Sequence, residues 1–204
     1  MVADQGASAL GLNFYAPSPR SVDLATAAEI KSAVSTREIS VVGLFVKHPL
    51  TEVISTCQDL SLEVVQLHGD EPPEFLAELA KALPDLGIIR AFRAHDPHLD
   101  NLAEFLTECD QRGKRPDYLL IDAYSPEAFG GTGQIAPWKM IQENYRYQEW
   151  PPLILAGGLT SANVSEAIQS VAPFGVDTAS GVESAPGVKS RQMVEAFINQ
   201  AKMT

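Results

Sequence analysis

Short apolar runs, each ending in a polar residue and a loop, alternate along this chain with stretches whose apolar positions recur at helical spacing. The runs predict strands over residues 7–15, 39–46, 62–68, 86–92, 117–122, 152–156 and 175–179. The helical stretches cover 23–34, 49–59, 72–83, 99–111, about 137–145, 161–171 and 188–202. Asp23 supplies an N-cap for the first helix, and Pro72 is acceptable in a first turn. Strand–helix pairs in this order imply a parallel sheet with right-handed crossovers. The chain carries neither a dinucleotide-binding G-x-G-x-x-G between a strand and a helix nor a P-loop, which favours a (β/α) barrel over a nucleotide-binding open sheet.

A closed barrel of this type needs eight strands, and seven are counted. Residues 1–7 read as the tail of a helix already under way. The expectation is therefore an α/β, (β/α)8 TIM barrel, one domain over residues 1–204, with the first strand and most of the first helix missing because the chain starts internally. The alternative is a shortened barrel that repairs its open edge against another chain.

Composition narrows the function. With 45% hydrophobic and 20% charged residues the 204-residue chain has the balance of a soluble globular enzyme. A net charge of −11 argues against nucleic acid or an anionic membrane as partner, but permits a small anionic substrate held by a local cluster of donors. Cys57 and Cys109 lack metal or redox spacing and fit a reducing cytosol; no signal peptide or membrane span is read, so a cytoplasmic location is expected.

The run Asp117-Tyr-Leu-Leu-Ile-Asp122 reads as a strand buried on both faces, followed by the glycine-rich loop Gly130-Gly-Thr-Gly-Gln134. Ligands of parallel α/β proteins gather where strands end, which places Asp122 for chemistry; an Asp ordering its own loop is the plain alternative. On the residues alone Arg20 reads as a solvated loop arginine, and His68 at a strand end as a hydrogen-bonded structural residue. Arg90 and Arg93 flank Phe92, and alternation alone leaves open which one faces the barrel mouth.

Six motifs in order carry a resemblance: Ala9-Leu-Gly-Leu-Asn-Phe-Tyr-Ala-Pro-Ser-Pro-Arg20, Val65-Gln-Leu-His-Gly69, Leu120-Ile-Asp122, Gly130-Gly-Thr-Gly133, Leu155-Ala-Gly-Gly-Leu159 and Val176-Asp-Thr-Ala-Ser-Gly-Val-Glu183. Together they resemble the phosphoribosylanthranilate isomerase family of tryptophan biosynthesis. The resemblance implies an Amadori rearrangement of a small-molecule substrate by a monomer or homodimer, with no metal or organic cofactor. It implies Asp122 as general acid, its carboxyl protonated part of the time near neutral pH. It also implies Arg20 on the anthranilate carboxylate, His68 in support, and Asp177 near the amino or ribose groups. Gly157 and Gly158, with Ser180 and Gly181 opening a short helix, match the phosphate site usual in such barrels; a plain strand-to-helix turn is the alternative for the glycine pair. The family's base, a cysteine in a Lys-x-Cys-Gly motif on its first strand, has no counterpart, because Cys57 and Cys109 fall on outer helices.

Overall fold

The computed structural model describes residues 1–94, 98–123 and 137–203. Seven strands, β1 (Ala9–Asn13), β2 (Ser40–Phe45), β3 (Val64–Leu67), β4 (Gly87–Ala94), β5 (Tyr118–Ala123), β6 (Leu153–Leu155) and β7 (Gly175–Val176), pair in sequence order. Every pairing is parallel. Between and after them lie α1 (Leu24–Val34), α2 (Leu50–Asp59), α3 (Pro73–Ala82), α4 (Asp100–Gln111), α5 (Trp138–Asn144), α6 (Val164–Val171) and α7 (Arg191–Lys202). The Asp23 carboxylate accepts the Thr26 N–H at 2.8 Å, so the cap read from the sequence starts α1.

Both faces of the sheet are apolar, but unequally so. On the helix side, Leu12, Phe45, Val65, Leu67 and Ile88 pack with Val53 and Cys57 of α2 and Leu76 and Leu79 of α3. Leu119, Ile121, Leu153 and Leu155 pack with residues of α4, α5, α6 and α7 in a second large cluster. The inner face holds only a small cluster, Val42, Ile89, Ala91, Leu120 and Ala156. Since each buried Leu or Ile contributes about 1.5–3 kcal/mol, the helix side supplies most of the driving force. The inner face is left free to end in polar residues.

The sheet curls so far that its two edges meet around one space. Asn13 on β1 and Asp177 just beyond β7 line the same cavity, although among the described residues no pairing joins β1 to β7. The architecture is a curled seven-stranded parallel sheet with helices outside.

Three local expectations are corrected. Within residues 1–7, where a helix tail was expected, the structure holds one 3-10 turn, Ala3–Gln5, that Gly6 ends at φ +84°. The last parallel strand stops at Val176, although Asp177 N–H still donates to Leu155 O at 2.9 Å. The closing helix starts at Arg191 because Val188 and Lys189 belong to a hairpin, β8 (Glu183–Ala185) with β9 (Val188–Lys189), turned through Gly187 at φ +81°. Among the described residues no helix is long and apolar enough to cross a membrane.

Candidate active site

The strands deliver their last residues to a solvent-open cavity at their carboxyl ends. Arg20, His68, Asp122, Gly157, Gly158, Asp177 and Ser180 all line it. Gly181 does not, and its part is steric: a Cβ there would stand 1.9 Å from Leu159 O. The loop Gly130-Gly-Thr-Gly-Gln134 lies outside the described residues.

Asp122 and His68 end β5 and β3 on the inner face, both buried, with His68 Nε2 3.4 Å from Asp122 Oδ2. Gln66, two positions before His68 and therefore on the same face, places Nε2 2.7 Å from His68 Nδ1. With that amide donating, the ring proton sits on Nε2 and faces the Asp122 carboxylate. The two side chains stand within ion-pair distance at the cavity wall, although His68 Nε2 makes no hydrogen bond among the described residues.

Asp177 is the second carboxyl group of the cavity. It is exposed to solvent where it lines the cavity, and loss of hydration against the surrounding protein together with the nearby Asp122 carboxylate raises its carboxyl above the usual range, against the pull of His68 and Lys189.

The opposite wall is backbone. Gly157 and Gly158 both adopt positive φ, +87° and +63°, which turns successive peptide groups into a concave surface after β6. Asn163 holds that turn, accepting the Thr160 N–H at 2.8 Å and donating to Gly158 O at 3.0 Å. The Thr178 hydroxyl donates to Leu159 O at 2.8 Å, so the two loops that carry the glycine pair and Ser180 are bonded together. Ser180 opens a 3-10 turn, Ser180–Val182, that runs into β8. Backbone donors of this kind suit an anion such as a phosphate.

Arg20 reaches the cavity from the loop after β1 and is paired there with a residue the sequence reading did not single out. Its Nε lies 2.9 and 3.1 Å from the two Glu183 oxygens, and its Nη2 donates to Glu183 Oε2 at 2.7 Å. Lys189 Nζ donates to Glu183 Oε1 at 3.0 Å and to Ala179 O at 2.7 Å. Burial works to raise the Glu183 carboxyl, but the hydrogen bonds from Arg20 and Lys189 outweigh it and hold the group below its ordinary range. Glu183 closes the last motif read from the sequence, and that position was the only signal that could have drawn attention to it.

The two arginines of β4 face opposite ways. Arg90 is buried on the helix side, bonded to the carbonyls of Leu67 and Ala91, with its guanidinium 4.8 Å from the Phe92 ring centroid and 5.4 Å from that of Phe105. Arg93 shares the parity of Ile89 and Ala91, the inner-face residues, and donates to Asp70 at 2.8 Å at the mouth. Cys57 and Cys109 are buried on α2 and α4, away from the cavity wall. Among the described residues no group of three His, Cys, Asp or Glu side chains is placed to hold a metal ion.

Comparison with known proteins gives this site a context. The sequence profile of N-(5'-phosphoribosyl)anthranilate (PRA) isomerase matches residues 1–200. The chain belongs to the PRA isomerase family. The N-(5'-phosphoribosyl)anthranilate isomerase of Geotalea uraniireducens is 44% identical over 99% of this chain and 91% of that relative. The crystal structure of the Thermotoga maritima PRA isomerase superposes with a TM-score of 0.84 at 30% identity, covering 100% of this chain and 92% of that one. A PRA isomerase solved with reduced 1-(o-carboxyphenylamino)-1-deoxyribulose 5-phosphate gives a TM-score of 0.81 at 28% identity, covering 100% and 91% of the two chains. The curled sheet is thus the PRA isomerase fold.

Proposed function

We propose that this chain, one domain over residues 1–204 acting in the cytoplasm as a monomer or homodimer, converts N-(5-phosphoribosyl)anthranilate to 1-(2-carboxyphenylamino)-1-deoxyribulose 5-phosphate. The observation that carries the reading is the meeting of Arg20, Asp122 and the Gly157–Gly158 turn, from three distant segments, around one cavity in a PRA isomerase fold. The substrate has an anion at each end, and the cavity has a cation on one wall and backbone donors on another. Arg20 takes the anthranilate carboxylate; Gly157, Gly158 and Ser180 take the phosphate, with Gly181 allowing the close packing behind them.

Asp122 protonates the furanose ring oxygen as the ring opens to a Schiff base, and His68 orients its carboxyl. Loss of the C2 proton then gives an enolamine, with the substrate's nitrogen as electron sink, and tautomerisation gives the ketone. Asp177 faces the amino or ribose groups. The proton at C2 needs a base, and no cysteine lines the described cavity. Among the described residues β1 and β7 are not paired with each other, and by likeness to the family the base belongs on a further strand between them.

The test is turnover of N-(5-phosphoribosyl)anthranilate, followed by loss of its fluorescence, in this chain and in a version carrying a family first strand before Met1. Activity that appears with the added strand, and falls about 10²–10⁴-fold on Asp122→Asn with the fold retained, is the expected result. Retained turnover in Asp122→Asn removes that residue as the acid. The lack of a cysteine at the cavity favours one rival, a barrel that binds phosphorylated ligands without turning them over. Binding of the reduced product analogue with no turnover in either version would establish it.

A further inference from the structure

Glu183 does not line the cavity, yet it fixes a residue that does. It grips the Nε–Nη2 edge of Arg20, and its side chain is only 4% exposed, so the pair is shielded from water. The Nη1–Nη2 edge of the same guanidinium is left open: among the described residues Nη1 makes no hydrogen bond. The backbone of Arg20 is held as well, its N–H donating to Ser18 Oγ at 3.2 Å, an oxygen that also accepts from Asn13 Nδ2 at 3.2 Å.

We propose that Glu183 is a positioning residue for Arg20, and that Lys189 completes the device, so that the open edge of the guanidinium is fixed for a substrate carboxylate. Glu183 alone would neutralise Arg20 and weaken it as an anion ligand. Lys189, 3.0 Å from Glu183, restores one net positive charge to the cluster. The same lysine donates to Ala179 O, in the segment that also carries Ser180, and so ties the carboxylate grip to the phosphate wall. A guanidinium ordered before binding loses little side-chain freedom when the ligand arrives. This inference rests on Arg20 as the carboxylate ligand.

The experiment is calorimetric binding of two probes: reduced 1-(o-carboxyphenylamino)-1-deoxyribulose 5-phosphate and the phenylamino compound that lacks only the carboxylate. Wild type is expected to prefer the first, and Arg20→Met to abolish the preference. Glu183→Gln is expected to cut the preference about tenfold while leaving affinity for the decarboxy probe unchanged, and Glu183→Asp to recover part of it. An unchanged or increased preference in a folded Glu183→Gln overturns the inference while the Arg20 reading stands. No preference in wild type overturns both. Should Glu183→Gln lose its circular dichroism, Lys189→Met, which keeps the Arg20–Glu183 pair, is expected to reduce the preference by a smaller factor; an unchanged preference there overturns the proposed device.

Discussion

Gly181 shows how little room the packing between the Leu159 loop and the Ser180 turn leaves. A methyl group at that position would meet a backbone carbonyl, Leu159 O, at 1.9 Å, and Thr178 Oγ1 at 2.7 Å. A backbone atom cannot swing aside as a side chain does, so the loops bonded through Thr178 must separate. Gly181→Ala is expected to cost about 2–4 kcal/mol in urea unfolding and to weaken binding of inorganic phosphate as well. An unaltered urea midpoint would mean that the 3-10 turn relocates without strain. Asp122 and His68 were legible in the sequence because each follows an apolar strand run and stands at its end, and Arg20 because it closes a loop motif. Glu183 was not, since its partner lies 163 positions away and no local pattern encodes such a pairing. The facing of Arg90 and Arg93 depends on which neighbours, Phe105 of α4 or Asp70 beyond β3, receive them, and that is tertiary information.

Among the elements, the start of α7 separates a hairpin from a helix over a single residue. Ser190 caps the helix, its hydroxyl accepting the Met193 N–H at 3.4 Å, and its own N–H donates to Val182 O at 2.9 Å. Ser190→Ala is expected to lower stability by about 1 kcal/mol, read from the urea midpoint, and to fray α7 at its first turn by amide exchange. The order of the seven parallel strands and their helices was readable because most apolar runs are compact and most helices, α1 excepted, bury one apolar face. The hairpin was hidden by its brevity: β9 has two residues, Val188 and Lys189, and continues smoothly into helical spacing. The turn at Gly187 was the cue, since the glycine adopts φ +81° and its Cα approaches Pro19 so closely that a Cβ would stand 3.0 Å from that carbonyl.

At the scale of the whole molecule, the cluster of Arg20, Glu183 and Lys189 joins the loop after β1 to the hairpin that follows β7. Its strength follows pH in a defined sense. The Glu183 carboxyl is held below its ordinary 4.5, so its stabilising share is fully present above that value and is lost as pH falls through the depressed one. Glu183→Gln is therefore expected to be less stable than wild type at neutral pH, with the gap in urea midpoints closing on acidification. A gap that is constant with pH would mean that the carboxylate charge plays no part in the contact. The net charge of −11 makes the order of events matter, because an acidic chain gains little from approach of its distant parts until cations are placed. Each strand pairs with its successor, so the sheet can grow by short steps from one β/α unit to the next. The bond between Arg20 and Glu183 spans 163 positions and so carries a larger loop-closure cost than any of those steps. During synthesis this contact waits for residues 183–189, whose hairpin reaches back to a loop made at the very start.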